Sequence, residues 1–327
     1  MSILAYADDT GVNPGCPTPD RRKDNRAAAD RAVSFALLVT AMIALVSAAP
    51  AAADRFVVFG DLQDASTEGR ARDAMLIERI NALDPAFSVF IGDIKGGSGD
   101  CSDELYDRMR SVFDLHRRPL IYTPGDNEWT DCWRAEAGGH DAGERKAAVV
   151  ERLTSVGRSL GRETIPLEQQ EGQRENARWR WNGIVFATLH MPGSNNNLQQ
   201  REDAIAEHLE RESRNAAWLA ETFAAADGAR AVVLFFHANP RWDANWWEPT
   251  GFDRFRARLE ELAGQFAGPV LVAHGDTHTF RVDKPLRAAS NVTRLEVFGP
   301  PRRGAIIVDV DSGAPELLRF APLLFHD

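Results

Sequence analysis

Five short polar motifs stand along the chain, each just after an apolar run. They are Gly60-Asp61-Leu62-Gln63, Gly92-Asp93, Gly125-Asp126-Asn127-Glu128, His237, and Gly275-Asp276-Thr277-His278 with His274 before it. Carboxylates joined by imidazoles form a mixed oxygen and nitrogen donor set. Such a set suits two divalent cations and hydrolysis assisted by them. Shared carboxylates neutralise and bridge the ions, and imidazoles fix their geometry.

The elements that must position these residues can be read from the runs before them. Residues 56–59, 87–91, 120–122, 232–236 and 270–273 are short, β-branched or aromatic, and lack polar alternation. That pattern predicts parallel strands buried on both faces, and α/β sheets place their chemistry at the carboxyl ends of such strands. Amphipathic spacing predicts helices over 70–83 and 103–116, and further helices are expected over 144–156, 202–226 (with a break near Ser213) and 252–266. Asn182-Gly183 predicts a hairpin turn inside 178–189. Two more strands are expected at 294–298 and 305–310.

The order and spacing of the motifs resemble the calcineurin-like metallophosphoesterase superfamily, from about Arg55 to the C-terminus. That family reads Asp-x-His, Gly-Asp, Gly-Asn-His-Asp/Glu, a lone His, and Gly-His-x-His. The resemblance implies an α/β fold of four layers, an αββα sandwich. It implies one cation held by Asp61, Gln63 and His278, a second held by Asp126, His237 and Asp276, and Asp93 bridging the two. A water acidified by both cations would be the nucleophile. The sequence also resembles a bacterial and fungal subgroup that shares Gly-Asp-Asn-Glu-Trp-Thr-Asp-Cys and His-Gly-Asp-Thr-His, here ending at Cys132 and His278.

Three departures from the family pattern bear on chemistry. Gln63 replaces a metal-binding His, and an amide oxygen is a weak zinc ligand; the alternative is that Gln63 only hydrogen-bonds beside the site. Asp126 and Asp276 replace an Asn and a His, adding anionic oxygens. Together these changes favour manganese, iron, magnesium or calcium over zinc. Asn127 replaces the His that assists the leaving group, and an amide cannot act as a general acid. Three outcomes stay open: another group (Glu128, Asp131, His190 or His274) supplies the proton, the substrate has a good leaving group, or the protein binds without catalysis. A single-metal, carboxylate-rich binding protein is a further reading. His274 is expected to hydrogen-bond behind the site or to take that catalytic role.

Lys95, two residues after Asp93, would bind substrate phosphate, offset the carboxylates, or lie solvated in a loop. Arg134 is a weaker phosphate-binding candidate. Trp242, Trp246 and Trp247, interleaved with Asn239, Arg241 and Asn245, would either stack on a base or sugar or cover the core. Residues 191–197 are expected to form a loop on the same rim.

Of 327 residues, 44% are hydrophobic and 26% charged, which fits one large α/β domain. Residues 32–49 are nearly all apolar, follow several basic residues, and precede Ala51-Ala52-Ala53. This predicts a secretory signal peptide over 1–53, cleaved near Ala53, with a phosphoesterase domain over 54–327 and a periplasmic or secreted location. A membrane anchor is the alternative, since about 17 apolar residues can span. The net charge of −10 argues against nucleic acid, and no basic amphipathic helix suits a membrane surface. The resemblance implies a small phosphoester as the partner. Cys16 would leave with the signal. Cys101 and Cys132 fall in the loops after neighbouring strands, so an exported chain can pair them; two buried free thiols are the alternative.

Overall fold

The computed structural model describes residues 54–243, 249–311, 313, 314 and 316–325. The signal-like stretch at 1–53, and Asn245, Trp246 and Trp247, lie outside the described residues.

Two sheets face each other. The first has the order β12-β11-β1-β2-β3, built from β1 (Arg55–Phe59), β2 (Ser88–Phe90), β3 (Leu120–Tyr122), β11 (Arg303–Val310) and β12 (Leu318–Phe325). The second has the order β4-β5-β6-β7-β8-β10-β9. Its strands are β4 (Glu168–Gln170), β5 (Gln173–Trp181), β6 (Ile184–Thr188), β7 (Ala231–Phe235), β8 (Val270–His274), β9 (Arg281–Asp283) and β10 (Val292–Glu296). Strands β1, β2 and β3 run parallel, with Phe59 opposite Phe90 and Phe90 opposite Tyr122. Strands β7 and β8 are parallel too, with Phe235 opposite Ala273. The five motifs therefore emerge at aligned strand ends.

Alternate side chains of each strand enter different layers, as the two-residue period requires. Phe56, Val58, Val89, Phe186, Val233, Phe235 and Leu271 fill the space between the sheets. Here Phe56 stacks on Phe87 at 5.2 Å and meets Phe186 edge-on at 5.4 Å, geometries that suit the aromatic quadrupole. The opposite faces bury against helices. Val57, Phe59 and Phe90 pack with Leu76, Ile80, Met109 and Val149 from α1 (Thr67–Ala82), α2 (Asp103–Phe113) and α3 (Ala142–Leu153). Val232, Leu234 and Val272 pack with Trp218, Leu219 and Leu259 from α4 (Glu202–Ala225) and α5 (Asp253–Gln265). This is the expected αββα sandwich. Helix α4 runs unbroken past Ser213. Asn182 and Gly183 both have positive φ, 52° and 73°, and close the β5–β6 hairpin.

Among the described residues no helix is long and apolar enough to cross a membrane.

Candidate metal centre

The two glycines before Asp93 and Asp126 explain how the loops meet. Gly92 has φ 88°, and a Cβ there would lie 2.4 Å from Gly125 N. A Cβ on Gly125 would lie 2.3 Å from Asp93 Oδ1. Only bare backbone lets these loops cross this closely. Beyond them, Asp61, Asp93, Asp276 and His278 all hold left-handed backbone, with φ of 53°, 62°, 78° and 59°. Such a conformation costs on the order of 1–3 kcal/mol each and gathers at functional sites. It turns each side chain sharply off its strand axis, inward to a common point.

His237 is the hinge of the cluster. It is fully buried, and its Nδ1 donates to Ile91 O at 2.8 Å. Nε2 is therefore the nitrogen turned to the cluster, 3.1 Å from Asp126 Oδ1 and 3.3 Å from Asp93 Oδ1, and offers a lone pair once it gives up its proton. Neither contact is aligned as a hydrogen bond, and Nε2 and Asp61 Oδ2 are buried without a partner. Donor atoms of Asp126, His237 and Asp276 lie within 4.8 Å of one another, as do those of Asp61, Asp93 and His237. A lone pair aimed among carboxylate oxygens is satisfied by a proton or by a cation. The donor set fits a divalent cation in both groups.

The electrostatics agree. Burial pushes Asp61 up to about 7, against the pull of His237. Burial also lifts Asp93 well above the usual range, reinforced by the charges of Asp126 and Glu128. Burial opposes a charged His237, yet the Asp93, Asp126 and Asp61 carboxylates hold it well above its ordinary value. With no cation, the cluster keeps protons to limit its own repulsion.

The remaining predicted residues divide. Gln63 lies between the two sides: its Nε2 is 3.1 Å from Asp93 Oδ2 and 3.0 Å from His278 Nε2. A half-turn of the amide would offer Oε1 to the same space. His278 Nε2 is 3.6 Å from Asp61 Oδ1. Asp276 Oδ2 accepts Asn239 N at 3.0 Å. Asn127 reaches the bridging position, donating Nδ2 to Asp93 Oδ2 at 2.5 Å and to Lys95 O at 3.1 Å.

For four residues the structure favours one of the alternatives that the sequence leaves open. Glu128 is no proton donor: its carboxylate is filled by Gly125 N at 2.8 Å, Tyr122 Oη at 2.7 Å and Asp93 N at 3.2 Å, so it clamps two motif loops together. His274 points away, stacked on Phe236 at 5.9 Å, with Nδ1 on Gly275 O; burial pushes it down to about 3. Trp242 Nε1 donates to His274 Nε2 at 3.4 Å, and its ring leans on Phe255, so it covers the core. Lys95 is fully buried with Nζ on Gly96 O, and cannot meet substrate from solvent; it offsets the carboxylates around it. His190 likewise pairs with Glu175 at 2.7 Å in the core. Arg134 is tied to Asp131 at 2.8 Å.

Cys101 and Cys132 are joined, with Cα atoms 5.8 Å apart, and their bond ties the loops after β2 and β3. Sequence reasoning missed Ser194. Its Oγ donates to Asp126 Oδ2 at 2.8 Å and to Asp131 Oδ1 at 2.9 Å. Residues 194–197 form one left-handed turn, with φ of 48°, 58°, 58° and 58°. Buried Arg211 holds this turn through Asn196 Oδ1 at 2.5 Å and Asn196 O at 2.9 Å. The signal was present in Ser-Asn-Asn-Asn, because Asn tolerates left-handed backbone better than most residues.

No family model and no curated protein matches the sequence. Solved structures do. A dimetal phosphatase from Danio rerio aligns at TM-score 0.50 and 12% identity, covering 83% of this chain and 99% of its own. GAP50, the anchor in the inner membrane complex of Plasmodium, aligns at TM-score 0.48 and 12% identity over 84% of this chain and 89% of its own. Purple acid phosphatase PPD1 from yellow lupin (Lupinus luteus) aligns at 0.46 and 12% over 78% of this chain and 48% of its own. The Danio rerio likeness shows the fold alone: two facing sheets covered by helices on their outer faces, as in that dimetal phosphatase.

Proposed function

We propose that the protein is an exported, metal-dependent phosphoesterase acting on a small phosphomonoester or phosphodiester. The observation that carries this reading is the buried Nε2 of His237, fixed by Ile91 O and aimed among Asp93, Asp126 and Asp276. Asp126, His237 and Asp276 would hold one divalent cation. Asp61, Gln63 and His278 would hold a second, with Asp93 between them. Oxygen-rich donors favour manganese, iron or magnesium over zinc. When bound, the cations would acidify a water and screen the phosphoryl oxygens.

The residues themselves have separable tasks. Asn127 and Glu128 fix Asp93, the first through its carboxylate and the second through its backbone N–H. Ser194 orients Asp126. Of the groups able to give a leaving group its proton, Asp131 remains. It is buried, shares Ser194 with Asp126, and is pushed up to about 6 by burial and by Asp126. A Cβ on Gly97 would lie 3.1 Å from Asn127 Oδ1 and 3.8 Å from Asp131 Oδ2, so both side chains border one gap. Export is supported by the Cys101–Cys132 bond, which persists in oxidising compartments.

The contrasting reading is a non-catalytic binding protein of the same fold. It is favoured by Asn127, whose amide is spent on holding Asp93. Manganese-dependent hydrolysis of bis-p-nitrophenyl phosphate separates the two, since its leaving group needs no proton. Turnover that disappears in Asp93→Ala supports the enzyme. No turnover with manganese, iron, magnesium or zinc supports the binding protein.

A further inference from the structure

A pocket of about 210 Å³ opens beside Asp61. Its walls are Asp61, Leu62, Asp64, Arg72, the Pro300-Pro301 corner, Arg302 and Arg303. The space holds several waters at about 30 Å³ each, and its lining is mostly polar. Two of its arginines are already fixed. Arg72 pairs with Asp64, while Arg303 pairs with Asp73 and donates to Gly69 O at 2.9 Å. Asp73 is shared, because Arg70 Nη1 also sits 2.8 Å from its other oxygen. The exposed Arg302 guanidinium has no ion pair or hydrogen bond among the described residues. With Asp61, three carboxylates thus meet four guanidiniums at and behind the pocket, a local positive excess in a protein whose net charge is −10.

Local positive charge against an acidic background, concave and next to a cation position, is a place for an anion. Arginine forks suit the planar and tetrahedral oxygens of phosphoryl groups. We propose that this pocket receives a second phosphoryl group of the substrate, beside the one at the metal centre. The protein's substrates then carry two phosphoryl groups within short reach of each other. The inference rests on the phosphoesterase reading above. It adds that Arg302 is the adaptable contact and that Arg72 and Arg303 are the rigid ones.

The test is calorimetric titration of the manganese-loaded full-length chain with methylenebisphosphonate and, separately, with inorganic phosphate. The readout is the ratio of the two affinities. Chelation of the cations contributes to that ratio in every variant, so the comparison isolates Arg302. The ratio is expected to fall roughly tenfold in Arg302→Ala and further in Arg302→Glu, as loss of a charge-assisted contact requires. A ratio unchanged in both variants would overturn the proposal. The readout does not depend on turnover. A falling ratio in a protein that hydrolyses nothing would sink the enzyme reading and leave the pocket standing.

Discussion

The two cation positions proposed for this protein are unlike. The position of Asp126, His237 and Asp276 is firmly held: His237 is fully buried, and Asp126 and Asp276 are each fixed by a further donor, Ser194 Oγ and Asn239 N. The position of Asp61, Gln63 and His278 is more open. Its His278 side chain is 27% exposed, Gln63 offers an amide, and Asp61 faces the arginine-lined pocket. A site whose ligands are oriented by outer partners binds tightly and exchanges little. A site with a neutral amide and an open face binds more weakly and meets substrate. On the proposed reading, the same strand ends would supply one anchoring and one working position.

The largest effect that would break this comparison comes from the residue common to both. Asp93→Ala is expected to remove both bound manganese ions, measured by equilibrium dialysis, and to bring phosphodiester turnover below detection. Single-site variants should then separate the positions. His237→Ala should weaken the tighter manganese by more than about 100-fold, beyond what outer partners command, whereas His278→Ala should weaken only the looser one, by about tenfold. Equal losses in the two variants would remove the asymmetry.

Asn127→Ala sharpens the point with a smaller change. It leaves every ligand in place and frees Asp93 from the 2.5 Å amide contact. Manganese affinity should drop about 10- to 100-fold at both positions, while melting temperature without metal barely moves. The pH dependence is the mildest test. Asp61 is raised to about 7 and His237 is raised as well, so the metal-free cluster holds protons that the cation must displace. Apparent manganese affinity should thus fall by more than tenfold for each unit below pH 7, where Asp61 and His237 both hold protons, and rise by about tenfold per unit above it while His237 alone still holds one. A flat profile from pH 5 to 8 would contradict the protonated cluster.

Much of this arrangement was legible in the residues. Buried parallel strands announce themselves as unbroken apolar runs, so 56–59, 87–91, 120–122, 232–236 and 270–273 located the motif ends directly. Edge strands do not: Glu168–Gln170 is wholly polar, Arg281–Asp283 has one apolar residue, and Leu318–Phe325 is interrupted by Arg319 and Pro322, so they gain their identity only from pairing. In the site, residue type identified which side chains could bind cations but not which way they turn. His274 has a ligand's chemistry and stands next to the motif, yet the two-residue period sends it to the helix layer beside Phe236. Glu128 and Lys95 have catalytic chemistry, and burial redirects both to holding the loops. The turn at Ser194 was legible in Ser-Asn-Asn-Asn, but its contact to Asp126 was not, because it depends on the anchoring of that turn by Arg211, 17 residues further on.

The most direct test of the central claim is anomalous diffraction at the manganese edge from crystals equilibrated at rising manganese. The account predicts a first peak against His237 Nε2, between Asp126 and Asp276, and a second at higher concentration between Asp61 and His278. Simultaneous filling of both, or density that avoids His237, would contradict it.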